Sequence, residues 1–380
     1  MGPLKGMKIV EMAGIGPGPF CASLFADLGA TVIRIDRPAP SGLGTPRPLE
    51  FNLAMRSRPA IKVNLKKPEG IEFAMTLIER ADALIEGFRP GVMERLGIGP
   101  EDCFSRNPKL VFGRMTGWGQ EGPMANAAGH DLNYIALTGA LHATGQKDGP
   151  PTFPMNLLGD FGGGAMYLAF GVMSAIYEAQ QSGKGQVVDC AMVDGVASLM
   201  TSIYGMFAGG LMTHERGTNS NDSGAHFYNV YECKDGEWIS IAAIEPKFYE
   251  ELLGYLEIDP SALPAQRDRD HWPEMKTLFA SKFITKTREE WRTIMEGTDA
   301  CFAPVLTASE APEHPHFKER GTFVEVAGVP QPLAAPLFSR TKLEPPTAPV
   351  HPVSIAPADV LREWLDDAEI EAIIANGGVE

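Results

Sequence analysis

Within its first forty residues the chain runs through a strand, a tight turn, a helix and a second strand, and that order allows few folds. Lys8-Ile9-Val10-Glu11 reads as extended, Gly14 to Gly18 as a turn, and Phe20 to Leu28 as an apolar helix. Thr31-Val32-Ile33-Arg34-Ile35-Asp36 returns to strand. A helix inserted between two strands carries the chain back to the edge from which the first strand started, so the two strands lie parallel. The unit recurs at Ile61-Lys62-Val63-Asn64-Leu65, the helical stretch 69–80 and Ala83-Leu84-Ile85, and again in a unit ending at Leu110-Val111-Phe112. These repeats predict an α/β fold built on an open parallel, Rossmann-like sheet.

Past Gly164 the pattern predicts a long helix toward Gln181, a strand at Gln186-Val187-Val188-Asp189-Cys190 and a helix over about 193–212. The polar stretch 217–224 then reads as a linker or mobile loop. Phe227 to Cys233 and Trp238 to Ile244, joined by Lys234-Asp235-Gly236-Glu237, predict a β-hairpin, and two helices follow, the second opened by a capping box from Thr287 to Glu290. A proline-rich stretch then leads to a C-terminal helix over Ala358 to about Ala375. At 380 residues the chain exceeds the usual single core. The expected division is a large domain over 1–200 completed by 326–380, a linker over 201–224 and a smaller α+β domain over 225–325.

Composition narrows the function. A formal charge of −15 disfavours a general binder of nucleic acid or anionic membranes. Cys21, Cys103, Cys190, Cys233 and Cys301 are far apart and never in C-x-x-C spacing, which argues against a disulfide framework or zinc site and fits a reducing, cytoplasmic setting. The start reads as no signal peptide, and the apolar run 196–212 is broken by Ser198, Thr201 and Ser202, as in a buried helix rather than a membrane span. His314 and His316 sit among prolines with no third ligand in view, so no metal is expected.

The turn after the first strand invites a dinucleotide reading, with Asp36 placed to hold a ribose. The fingerprint G-x-G-x-x-G fails at its third glycine, which here is Pro19. A different ligand is indicated by local charge. Residues 51–67 carry Arg56, Arg58, Lys62, Lys66 and Lys67 with no acidic side chain, and Arg37 and Arg89 each follow a strand end. Open α/β sheets bind ligands at that edge, and arginine and lysine suit phosphate, although any one of them is equally read as a solvated surface charge.

Two further stretches carry chemistry, Ala128-Gly129-His130-Asp131-Leu132-Asn133-Tyr134 and Asn156-Leu157-Leu158-Gly159-Asp160-Phe161-Gly162-Gly163-Gly164. Each reads as a glycine turn feeding a helix, where free backbone N–H groups can hold an oxyanion. Histidine titrates near neutrality and a carboxylate in a dry pocket is raised toward it, so His130 and Asp160 suit proton transfer. Taken singly, His130 is also an ordinary structural histidine and Asp160 an ordinary N-cap. Asp131 and Glu245 are the candidates to orient His130, and Glu245 is equally a glutamate favoured by a helix dipole.

These stretches, with Glu11-Met12-Ala13-Gly14-Ile15-Gly16-Pro17-Gly18-Pro19 and Gly183-Lys184-Gly185-Gln186-Val187-Val188-Asp189, closely resemble α-methylacyl-CoA racemases of the class III CoA-transferase superfamily. The resemblance runs from about residue 3 to about 345, and more loosely into the tail. It implies an interlocked homodimer acting on acyl-CoA thioesters, with no cofactor beyond the coenzyme A of the substrate. It implies His130 and Asp160 as the two bases, for the S and R substrates respectively, the Asp131 N–H near the enolate oxygen, and Glu245 supplied by the second subunit. Ile15, Gly16, Pro17, Arg37, Lys62, Arg89, Arg95, Gly129 and Tyr134 are the expected contacts for coenzyme A and substrate. Two alternatives stay open: a CoA-transferase with Asp160 as nucleophile, against which a histidine at 130 argues, and an inactive acyl-CoA-binding protein.

Overall fold

The computed structural model describes residues 2–39 and 41–379. The chain divides into two compact units, one of Met1–Thr138, Met155–Leu199 and Pro315–Glu380, the other of Gly139–Pro154 and Met200–His314.

The first unit is built on six parallel strands: β1 (Lys8–Met12), β2 (Thr31–Asp36), β3 (Ala60–Lys62), β4 (Ala83–Glu86), β5 (Val111–Thr116) and β6 (Val187–Ala191). Their spatial order is 3-2-1-4-5-6, the doubly wound order in which the direction of winding reverses between β1 and β4. Successive residues of each strand point to opposite faces, and both faces are covered. Val10, Ile33, Ile35, Leu84 and Phe112 pack with Phe73 and Leu77 of α2 (Pro68–Ile78), while Ile9, Val32, Ile85 and Val111 pack with Phe25 of α1 (Pro17–Asp27). This two-sided burial explains why the strands read as continuous apolar runs.

After β4 come the short α3 (Val92–Arg95) and α4 (Pro100–Arg106), and after β5 comes α5 (Asp131–Leu137). The chain then enters the second unit at α6 (Ala140–Ala143) and returns through residues Leu157–Met166, which wind as a π-helix into α7 (Tyr167–Ser182). Beyond β6 lies α8 (Met192–Leu199), and it approaches the π-helix closely. A Cβ on Gly163 would stand 2.6 Å from Val196 Cγ2, and one on Gly195 1.9 Å from the Gly163 carbonyl oxygen, so both contacts require glycine.

Helix α9 (Thr201–Ala208) belongs to the second unit. There β7 (Tyr228–Glu232), β8 (Trp238–Ala242) and β9 (Phe302–Pro304) form an antiparallel sheet in the order 7-8-9. An aromatic core of Phe227, Tyr231, Tyr249, Trp272, Phe279, Phe283 and Trp291 joins it to α10 (Pro246–Tyr255), α11 (Trp272–Phe283) and α12 (Arg288–Met295). The capping box is present, with Thr287 N donating to Glu290 Oε2 at 2.7 Å and Glu290 N to Thr287 Oγ1 at 3.2 Å.

The first unit is completed by α13 (Pro315–Arg320), a hairpin of β10 (Phe323–Val326) and β11 (Val329–Pro332), and α14 (Pro357–Leu361) and α15 (Asp367–Ala375). Val360, Leu361, Trp364 and Ile370 pack on the β-sheet core beside Phe73 and Leu77. Among the described residues no helix is long and apolar enough to cross a membrane, and no three His, Cys, Asp or Glu side chains gather as a metal cage. His314 instead pairs with Glu296 at 2.7 Å.

Several expectations need correction. The helix expected over 193–212 is two helices meeting at Met200, where the chain passes from one unit to the other. Residues 201–224 are not a linker. Asn219 is 2% exposed, Asp222 accepts from the N–H groups of Gly217, Asn219 and Gly224, and Asn219 Oδ1 accepts from Thr213 N at 2.8 Å. Satisfied side-chain-to-backbone bonds of this kind order a polar segment that carries no hydrophobic pattern. The small unit also takes in Gly139–Pro154, and the large unit resumes at Pro315 rather than 326.

His226 lies buried in the aromatic core, its Nε2 2.8 Å from Tyr249 Oη. Burial, and secondarily Lys276, push its pKa down from 6.5 to about 4. The unfolded chain binds this proton more readily than the folded one, so stability is present above the unfolded value and lost as pH falls from 6.5 toward 4. The loss is on the order of 3 kcal/mol. Amide hydrogen exchange in residues 225–304, corrected for the chemical exchange rate, should accelerate across that window, and His226→Gln should flatten the response.

Candidate active site

The carboxyl ends of β1, β4 and β5 open on the reversal point of the sheet, where doubly wound folds place their ligands. After β1 the chain turns through Gly16, whose φ of 68° is a left-handed conformation that glycine adopts without strain, and enters α1 with Pro17 at its first position. Ile15 is exposed there and Pro17 buried. Asp160 lies against this turn, since a Cβ on Gly16 would stand 3.3 Å from Asp160 Oδ2. The rings of Phe20 and Phe161 pack at 4.6 Å beside it.

Asp160 is not an N-cap. It falls in the first turn of the π-helix, which Asn156 begins, and Asn156 Nδ2 donates to Asp160 Oδ2 at 3.0 Å. Single π turns inside helices are frequent at functional sites, because the widened ring turns a side chain off the regular helical face. Burial raises the Asp160 carboxyl above the ordinary carboxylate range, opposed by the Asn156 hydrogen bond, while the charge of Asp131 raises it further and His130 lowers it.

His130 is the N-cap of α5, in extended conformation, and its ring makes no capping bond. The helix is capped instead by Asn133, whose Oδ1 accepts from His130 N at 3.1 Å. That leaves the imidazole exposed and unspent.

Asp131 does something other than orient His130. Its carboxylate is 5% exposed, and Oδ2 accepts from Gly159 N at 2.6 Å and from Asp160 N at 2.7 Å. A Cβ on Gly159 would stand 2.6 Å from that oxygen, so this glycine makes room for Asp131 rather than for a ligand. Likewise Gly129 faces the rings of Tyr134 and Trp118, at 2.8 and 2.9 Å from a built Cβ. Tyr134, expected at the ligand, is 6% exposed, packs edge-on against Trp118 and donates its hydroxyl hydrogen to the Gly129 carbonyl. Its role is to brace the His130 turn.

The basic residues separate into two groups. Arg58 is buried against Glu11 at 2.5 Å and donates to the Pro19 carbonyl, and Arg56 binds Asp27 at 2.6 Å and Gln331 at 2.9 Å. Both are occupied in structural ion pairs and drop out of the anion site. Asp36, considered for a ribose, is held by Arg34 at 2.7 Å. Arg37, Arg89 and Arg95 are exposed and Lys62 half-buried at the end of β3. Arg37 lies over the Phe88 ring at 5.7 Å, so the loops after β2 and β4 meet. Glu245, in the second unit, is the exposed N-cap of α10, one residue outside the helix. Asn133 and Asn156 went unread in the sequence, although Asn133, three positions after the N-cap His130, carries a known capping signal.

A sheet edge bearing exposed arginines, with a raised carboxyl and an exposed histidine ring that makes no capping bond, marks an enzyme site of the doubly wound class. The family model for CoA-transferase family III matches residues 4–352, and the chain belongs to that family. It is 42% identical over 362 residues to mouse α-methylacyl-CoA racemase, covering 95% of this chain and 93% of that one. It is 31% identical to succinyl-CoA–D-citramalate CoA-transferase of Chloroflexus aurantiacus, over 85% and 83% of the two chains. In fold it is similar to a CAIB/BAIF family protein from Brucella suis, with a TM-score of 0.81 at 24% identity over 96% of this chain and all of that one.

Asp131→Asn should keep an oxygen acceptor for the two amides while removing the charge. The Asp160 carboxyl should then titrate lower than in the wild type, as read by carbon-13 NMR of labelled aspartate. An unchanged midpoint would mean that the Asp131 charge plays no part in raising it.

Proposed function

We propose that the protein is an α-methylacyl-CoA racemase that interconverts the C2 epimers of 2-methylacyl-CoA thioesters by two-base proton transfer through an enolate. The observation that carries this reading is the placement of a half-buried carboxyl, Asp160, and an exposed imidazole with no capping bond, His130, on loops tied by one carboxylate. The thioester acidifies the α-proton. Neutral His130 removes it from one epimer, protonated Asp160 delivers a proton to the opposite face, and the roles reverse for the other epimer. The Asp131 N–H, at the first position of α5, has no intrahelical acceptor and would face the enolate oxygen. Arg37, Lys62, Arg89 and Arg95 would hold the phosphates, and no cofactor beyond the substrate's coenzyme A is required.

The transferase reading needs only Asp160 as nucleophile and leaves the exposed His130 ring, which makes no capping bond, without a task. A homodimer is supported by α7 and the turn before it, which expose Met166, Phe170 and Tyr177 at helical spacing, with Phe170 74% exposed. Four of the five unpaired cysteines are buried thiols, which suits a reducing, cytoplasmic setting.

A racemase should wash deuterium from solvent into C2 of either epimer with no second acid present. Proton NMR of 2-methylacyl-CoA in deuterium oxide reads this directly, and coenzyme A transfer to a free acid without exchange at C2 would overturn the proposal. Glu245 is proposed to serve His130 of the partner chain. Inactive His130→Ala chains co-refolded with inactive Glu245→Ala chains should then regain activity toward half of wild type per heterodimer, because one site carries both lesions and the other neither. A mixture that stays dead would place the two residues in one chain.

A further inference from the structure

Two of the basic residues assigned to the phosphates, Arg89 and Arg95, lie on the segment 87–95 after β4, in which only Met93 is buried. A segment with so little core of its own must be held by something else. Its anchor is a guanidinium from the neighbouring strand. Arg114, on β5, is 9% exposed at its side chain and reaches three separate pieces of chain. Nε lies 3.4 Å from Glu86 Oε1 at the end of β4, Nη2 donates to Glu94 Oε1 on α3 at 2.6 Å, and Nη1 donates to Gln120 Oε1 at 2.9 Å.

The neighbours extend these contacts. Glu86 Oε2 accepts from Phe88 N at 2.6 Å, fixing the first turn of the loop, and the Phe88 ring lies under Arg37. Asp189, from the Gly183–Asp189 tract, accepts from Gln120 N at 3.1 Å, and the guanidinium rests over the Phe112 ring at 5.0 Å. The charged groups facing Glu86 are therefore Arg114, Glu94 and Asp189. Burial pushes Glu86 up to about 7, against the Phe88 N–H and Arg114. Two nitrogens of the fork hydrogen-bond Gln120 and Glu94 while the third faces Glu86 as an ion pair, a spread that the single ammonium of a lysine would not cover.

We infer that Arg114 is the positioning residue of the coenzyme A phosphate site, fixing Arg89 and Arg95 to the sheet through Glu86 and Glu94. The inference rests on the reading of those two arginines as phosphate ligands. Its physical content is that the loop inherits the rigidity of β5, so binding does not have to order two long basic side chains and their backbone together. The reacting carbon is held by other loops, so the effect falls on affinity and not on the chemical step.

The test is calorimetric binding of free coenzyme A, together with steady-state kinetics. Arg114→Met should raise Kd and KM about tenfold and leave kcat within about twofold. Glu86→Gln/Arg114→Met, which leaves no unpaired buried charge, should behave the same with a wild-type melting profile. Combined with Arg89→Ala and Arg95→Ala together, Arg114→Met should add much less than its separate effect, because arginines already absent have no position to lose. Should the Arg114 variants not fold, Glu94→Gln, which cuts one exposed arm, should still weaken coenzyme A binding. Weakened binding in Arg89→Ala with wild-type binding in the Arg114 or Glu94 variants overturns this inference alone, as does a strictly multiplicative effect of Arg114→Met in the chain lacking both arginines. Wild-type binding in Arg89→Ala overturns the phosphate reading and this inference with it.

Discussion

The site depends on one carboxylate. Asp131 follows His130 at the start of α5, and its Oδ2 takes the N–H groups of both Gly159 and Asp160. Through that oxygen a turn after β5 and a π-helix some thirty residues later become one rigid piece, and the two candidate bases share a frame. Such bonds to an ionised acceptor are about twice as strong as neutral ones, and breaking them would strand two amides. The same charge lifts Asp160 beyond what its burial already does. Geometry and proton affinity thus have a common source.

Around this piece the sheet supplies placement. The winding reverses between β1 and β4, and the loops leaving those strands separate at the reversal instead of crossing it. Gly16 borders Asp160 on one side, and Phe88 and Arg89 leave β4 on the other. Glycine at 163 and 195 lets α8 lie against the π-helix at backbone distance, which supports an otherwise uncommon helical geometry.

Charge in this chain is sorted by its partners rather than by its sequence density. Arg56 and Arg58 stand in the basic run, yet each is consumed by a buried acid, and removing either partner would leave an uncompensated charge at a cost of about 3–5 kcal/mol. Arg37, Arg89 and Arg95 are left exposed on the segments that follow β2 and β4. Arg114 is intermediate in role: buried like the structural pairs, it ties down the segment that carries two of the exposed ones.

The sequence by itself determined the elements whose signals are local. The alternation of apolar strands and helices dictated a parallel α/β sheet, Thr287 and Glu290 announced the start of α12, and the runs around His130 and Asp160 marked the family. Strand β9, three residues long, and the β10–β11 hairpin were not legible, because their pairing rests on partners elsewhere in the fold or on too short a run to show a period. Nor did the local pattern tell which glycines make room for side chains, that Tyr134 braces a turn, or that Asp131 binds the Asp160 loop. Those outcomes were decided only by the tertiary structure, since a carboxylate or a guanidinium is satisfied by whichever donor or acceptor the fold brings within about 3 Å, and that partner stands at no fixed distance along the chain.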